Sequence, residues 1–169
     1  KPVLVLLICL PVTLLVFGPM GTWLGDGINF VCQFLMNTIG NWIVVALYAA
    51  LQPFLIMMGA ANFVMPVLMN FLTTQGYDPI FLVGSLISDA AVGGALLGYF
   101  LRARNSEQRQ LFGTTAFSAF MNITEPAVYG VFVKFRRPFI AVMIGGGLGG
   151  MFAGIMGVKG YSFAGLVSL

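Results

Sequence analysis

The chain has 169 residues, of which 59% are hydrophobic and only 8% are charged, and its formal net charge is +3. A soluble domain is about 45–50% apolar and about 25% charged, so eight basic and five acidic side chains cannot cover a soluble surface of this size. The composition therefore predicts an all-α integral membrane protein, and we expect no nucleic-acid partner.

The absence of histidine removes the commonest general base, the usual phosphoryl-carrying side chain and most zinc sites. Cys9 and Cys32 lie in apolar runs without partner spacing, which indicates inert thiols. We therefore predict no catalytic, cofactor-binding or metal-binding residue. Because the chain begins at Lys1 and ends at Leu169 inside an apolar stretch, we expect a piece of a longer membrane protein.

The first two predicted elements differ in polarity. Residues 1–24 are long enough for a transmembrane helix, which we expect to end at the Gly-Pro-Met-Gly run of residues 18–21. Residues 27–39 carry polar side chains at every fourth position, which is typical of an amphipathic or linker helix.

Residues 42–101 combine spanning lengths with short apolar pieces. The segment 63–72 is one such piece: at about 1.5 Å per residue it reaches about half of a 30 Å hydrocarbon core. We therefore predict spanning and broken helices over this region.

Two basic groups, at residues 102–109 and 134–137, flank the next apolar stretch. Positive loops prefer the cytoplasmic side, so we expect both groups to be cytoplasmic. A single helix over 110–133 would place them on opposite sides, whereas two arms of about twelve residues, each about 18 Å long, return the chain to its starting side. We therefore predict a re-entrant hairpin, with Pro126 as its breakpoint.

Residues 138–158 form the last predicted element, a glycine-rich transmembrane helix. The run Gly145–Gly150 continues to Gly154 with small residues four positions apart, which lets another backbone come close. A phosphate-binding loop is the competing interpretation, but the run lacks the lysine and the helix start that such loops need.

Glu125 is the candidate functional residue of the hairpin. An ionisable group at membrane depth costs about 2.5–3.5 kcal/mol even on the lenient insertion scale, which favours a functional role. With Asn122 and Thr124 beside it, the carboxylate can accept hydrogen bonds from a polyol, and the Tyr129 ring can stack on a sugar. We expect the carboxylate to be buried at the hairpin tip.

Two structural roles for Glu125 stay open. The carboxylate can pair with Arg136 or Arg137, or it can cap the helix that begins at Pro126.

Further polar residues lie in the other apolar segments. Asp89 either faces the pathway or makes a satisfied contact inside the bundle, and Asp78 lies in a turn, which favours a structural role. Gln52 and Asn70 are further candidate sugar ligands.

Residues 123–131, Ile-Thr-Glu-Pro-Ala-Val-Tyr-Gly-Val, resemble the G-I-T-E-P-A-I-Y-G-V signature of phosphotransferase-system sugar permeases, the enzyme IIC domains. The form with tyrosine is similar to the β-glucoside, sucrose and trehalose branch. The similarity continues over much of the chain, at residues 18–21, 76–78, 100–104, 134–140 and 145–150.

This resemblance implies a partial enzyme IIC fold, roughly the second half, with re-entrant hairpins and an acidic sugar ligand that maps onto Glu125. It implies a multi-pass protein of the bacterial inner membrane, a homodimer at full length. A phosphocysteine on a separate IIB domain phosphorylates the sugar, and IIA and the general phosphotransferase proteins supply IIB.

One position departs from the family pattern. Related permeases often carry a histidine as a second sugar ligand, and Ala61 stands at that position here. The neighbouring Asn62 can donate and accept hydrogen bonds in its place.

Two other functions stay open. An ion- or proton-coupled secondary transporter would use Glu125 and Asp89 as titrating groups, and a truncated remnant would not transport at all.

Overall fold

The computed structural model describes residue 11 and residues 18–161. Apart from one isolated β-bridge, every regular element in this part of the chain is helical. The helices are α1 (Gly18–Thr38), α2 (Asn41–Met57), a 3₁₀ turn (Ala61–Val64), α3 (Met65–Gln75), α4 (Phe81–Arg102), α5 (Ser106–Phe120), α6 (Glu125–Ala127), a π-helical turn (Val128–Phe132) and α7 (Arg136–Ile155).

Helices α4 and α7 are long and apolar enough to cross a membrane, and α2 is a shorter apolar helix. The all-helical class predicted from composition is thus confirmed for the described residues. Helix α7 begins two residues before the predicted span 138–158 and ends three residues before its end.

The first part of the chain differs from the prediction. One helix, α1, covers most of the predicted segment 27–39 and also the preceding residues 18–26. The run of residues 18–21 therefore does not end a helix, contrary to the prediction, because all four residues belong to α1. The remainder of the predicted helix 1–24 lies outside the described residues, apart from residue 11.

A glycine seam joins α2 to α7. A Cβ atom at Gly146 would lie 2.7 Å from the Ala49 carbonyl oxygen, and one at Gly150 would lie 2.8 Å from the Ala46 Cα atom. Gly154 meets the backbone of Trp42 in the same way. The small residues of α7 therefore allow the close backbone contact that the sequence predicts. Because later residues of α7 contact earlier residues of α2, the two helices are antiparallel.

Helix α4 packs against α7 and α5. Gly149 lies beside Ile87 and Gly145 beside Ala91, so α4 also runs antiparallel to α7. On its other side the Phe120 ring covers Gly93. Because α2 and α4 both oppose α7, they run parallel to each other.

Asp78 holds the start of α4 and confirms the structural role predicted for it. Its Oδ1 atom accepts hydrogen bonds from the backbone N–H groups of Ile80 and Phe81, and Oδ2 accepts one from Leu82. Burial raises the pKa of the Asp78 carboxyl above its ordinary value, and these three bonds act in the opposite direction. The backbone of Asp78 also forms the β-bridge with Gly160.

Candidate functional site

The helix is interrupted between α5 and α6, where residues 121–124 are not helical. Asn122 adopts a left-handed conformation with φ 60°, which asparagine tolerates better than most residues. Pro126, the predicted breakpoint, instead lies in the first turn of α6, where its missing N–H costs nothing. The helix interruption is therefore centred on Asn122, four residues before Pro126, where the sequence predicted it.

Both basic groups lie at the same end of the bundle. A cavity of about 280 Å³ is lined by Tyr99 from α4, Phe112 from α5 and the basic segment 134–138. The Phe112 ring stacks edge-on with Phe135 at 5.6 Å. The stretch 110–133 thus leaves this end of the bundle and returns to it, as a hairpin requires.

Glu125 is the first residue of α6, and its side chain is exposed. Within the described residues its carboxylate has no hydrogen-bond or ion-pair partner, so it neither pairs with Arg136 or Arg137 nor bonds to a helix N–H. The expected burial is wrong for the described chain, because nothing in residues 18–161 covers the break. The role of Glu125 as a sugar ligand stays a prediction.

The neighbours of Glu125 differ in exposure. Thr124 is buried, whereas Asn122 is exposed. The Tyr129 hydroxyl donates a hydrogen bond to the Ile56 carbonyl oxygen at 3.0 Å, which ties the π-helical turn to the end of α2. Because the tyrosine is still 54% exposed, its ring keeps a face for stacking.

Asn62 lies in the 3₁₀ turn that follows α2. Its side chain is outside the described part of the structure, so its role as a substitute ligand stays a prediction. Asn70, the other amide candidate of this region, accepts hydrogen bonds from the hydroxyls of Thr73 and Thr74 through its backbone carbonyl. The role of Asn70 as a sugar ligand stays a prediction.

Asp89 is a buried carboxylate whose Oδ1 atom has no hydrogen-bond partner within the described chain. It therefore does not make the satisfied contact that the sequence left open. Leaving a buried polar group unpaired costs about 1–3 kcal/mol, and more for a charged one. The Phe120 ring, five residues before Glu125, covers Gly93, which is one helical turn after Asp89.

Three further buried oxygens lack partners in the described chain: Oδ1 of Asn41 and Oε1 of Gln52, both in α2, and Oγ of Ser88 in α4. The sequence marks Gln52 as a candidate, but Ser88 carries no signal there beyond its place in an apolar span. Among the described residues, histidine, cysteine, aspartate and glutamate form no group of three that would hold a metal ion.

The family model for the phosphotransferase system, EIIC, matches residues 1–146. The chain is 33% identical over 165 residues to the arbutin-, cellobiose-, and salicin-specific EIIBC component of Escherichia coli (strain K12), covering 97% of this chain and 34% of that protein. It is 35% identical over 151 residues to the beta-glucoside-specific EIIBCA component of Bacillus subtilis (strain 168), covering 89% and 24%.

The trehalose-specific EIIBC component of Escherichia coli (strain K12) is 33% identical over 141 residues, which is 83% of this chain and 30% of that protein. The chain thus spans about a quarter to a third of the length of these curated relatives. No solved structure matches it. The family resemblance seen in residues 123–131 is confirmed, and the chain belongs to the phosphotransferase system EIIC family.

Proposed function

We propose that the chain is the sugar-binding and translocating membrane component of a phosphoenolpyruvate-dependent phosphotransferase system. Its substrate is a β-glucoside or a disaccharide such as sucrose or trehalose, in line with the relatives named for β-glucosides and trehalose. The observation that carries the proposal is the Glu125 carboxylate, which lies at a break in the backbone and has no partner in the described chain.

Glu125 binds the sugar by accepting hydrogen bonds from its hydroxyl groups. Charge-assisted bonds of this kind are about twice as strong as neutral ones. Asn122 and Thr124 add neutral hydrogen bonds, Asn62 replaces the imidazole found in related permeases, and the Tyr129 ring stacks on the sugar. Breaks in membrane helices are the usual site of substrate binding in transporters, because only there is backbone free to contact the cargo.

The hairpin 110–133 enters the membrane and returns, with residues 102–109 and 134–137 on the cytoplasmic side of the inner membrane. Movement of this unit carries the bound sugar to the cytoplasmic face. There a phosphocysteine on a IIB domain gives its phosphoryl group to a sugar hydroxyl, and a IIA domain recharges IIB. The chain has no histidine to carry a phosphoryl group, and the names of its relatives join EIIC to EIIB or to EIIB and EIIA.

The test is sugar affinity in the full-length protein that carries this chain. Glu125→Gln keeps the shape of the side chain and removes its charge, so we expect a loss of about 1.5–3 kcal/mol, the range for hydrogen bonds to charged groups. Glu107→Gln is the matched control, because Glu107 is also an exposed acid in the first turn of a helix but lies beside the basic end.

The melting temperatures of both variants are measured on the same samples. A stable Glu125→Gln protein with lost affinity supports the proposal. Affinity equal to that of the Glu107→Gln control would overturn it.

A further inference from the structure

Asp89 and Asp78 are two buried carboxylates with opposite surroundings. Asp78 has three backbone N–H partners, whereas the Oδ1 atom of Asp89 is enclosed and has none in the described chain. Asp89 lies within an apolar helix of membrane-spanning length. Its carboxylate therefore needs a hydrogen donor or a cation from outside residues 18–161.

The helix interruption that precedes Glu125 lies beside the part of α4 that contains Asp89. The Phe120 ring at the end of α5 covers Gly93, which is one helical turn after Asp89. Glu125 follows Phe120 by five residues, and neither carboxylate has an ion-pair partner in the described part of the chain. Two carboxylates in this arrangement repel each other until a donor-rich group lies between them.

Two more unpaired oxygens, from Ser88 in α4 and Gln52 in α2, lie where these two helices face each other. Gly84, one turn before Ser88, contacts Tyr48, which is one turn before Gln52. Because α2 and α4 are parallel, Ser88 and Gln52 lie at the same level of facing helix sides. Their enclosed oxygens also lack partners in the described chain, and Tyr48 itself is within electrostatic range of Asp89.

We propose that Asp89 is a second carboxylate ligand of the sugar, acting with Glu125 on two hydroxyl groups of the same molecule. The inference rests on the proposed function, because it assigns further ligands to that binding site. The Ser88 hydroxyl and the Gln52 side chain make further hydrogen bonds to the sugar beside Asp89. A polyol fits this set because each of its hydroxyl groups supplies a hydrogen-bond donor. A metal ion fits it less well, because no third carboxylate, cysteine or histidine of the described chain joins Asp89 and Glu125 in a metal-binding group.

The test compares three variants of the full-length protein by sugar affinity and melting temperature. We expect Asp89→Asn to weaken binding about tenfold or more without lowering the melting temperature, because it removes a charge that lacks a protein partner. Asp78→Asn is the matched control: it should lower the melting temperature and keep the affinity. Ser88→Ala leaves both charges in place and should weaken binding about threefold.

A panel of monodeoxy glucosides identifies the hydroxyl involved. At that position Asp89→Asn should cause no further loss, because the partner is already gone. Unchanged affinity in Asp89→Asn, or in Ser88→Ala if the Asn variant does not assemble, overturns the inference. Loss of affinity in Glu125→Gln alone leaves the proposed function standing.

A cation is the other possible occupant. If sodium raises the melting temperature of the sugar-free protein, and Asp89→Asn abolishes that rise, the ligand of Asp89 is a cation and the inference is wrong. If the unmodified protein binds none of the sugars, the proposed function itself fails.

Discussion

Gly150→Ala tests whether the contact between α2 and α7 holds the bundle together. The added Cβ atom would lie 2.8 Å from both the Ala46 Cα atom and the Val45 carbonyl oxygen, whereas an ordinary contact is 3.4–4 Å. Both neighbours are backbone atoms that cannot rotate away, so the helices must separate by the difference. Overpacking of this kind costs about 1–3 kcal/mol.

Gly94→Ala is the control, because Gly94 lies within helix α4 and a Cβ atom there meets nothing within 4 Å among the described residues. Replacing a helical glycine by alanine in open space stabilises by about 0.5–1 kcal/mol. The assay is thermal unfolding of the full-length protein in one detergent. We expect Gly150→Ala to melt below the unmodified protein and Gly94→Ala to melt at or above it. Equal melting temperatures for the two variants would refute the close contact.

Other perturbations probe separate parts of the structure. Asp78→Ala removes three hydrogen bonds from buried backbone N–H groups and should lower the free energy of unfolding by about 2–5 kcal/mol. Thermal unfolding measures the loss, and a loss no larger than that of a surface substitution would contradict the role of this carboxylate. Tyr129→Phe should cost about 0.5–1.5 kcal/mol of stability and keep sugar affinity, whereas Tyr129→Ala should lose both, as binding and melting measurements on the same samples will show. Single cysteines at Asn105 and Phe135 should react with an impermeant thiol reagent from the same side of the membrane; labelling from opposite sides would exclude the hairpin.

Features that depend on spacing along the chain could be predicted from the sequence. The glycines of α7 recur at one face of a helix, and that periodicity alone predicts the close approach found at Ala46 and Ala49. Asp78 follows Gly76 and Tyr77 and precedes Pro79, a pattern that predicts a turn, and its backbone contacts agree with the structural role assigned to it.

Features that depend on where a helix begins were harder to predict. Pro126 looks like a breakpoint only if the surrounding helix is continuous; once a new helix begins at Glu125, the proline fits its first turn. The exact break was set instead by the left-handed conformation of Asn122, and the sequence signal for that is weak.

The surroundings of Asp89 could not be predicted at all from the sequence. Whether a carboxylate in an apolar helix has a partner depends on residues from other helices, and the Oδ1 atom of Asp89 finds none in the described chain. Local patterns contain no information about such distant neighbours. The sequence could only leave two roles open for Asp89.

The β-bridge between Asp78 and Gly160 has a mechanical consequence. Its two hydrogen bonds, of 2.7 and 2.8 Å, fasten the chain after α7 to the start of α4, and so clasp residues 78–160 into a closed loop. Because these bonds hold the start of α4 to the segment after α7, we expect any separation of the two helices to be a hinge motion about this end. The widest opening then falls at the far end, where the basic segment 134–137 joins the hairpin to α7.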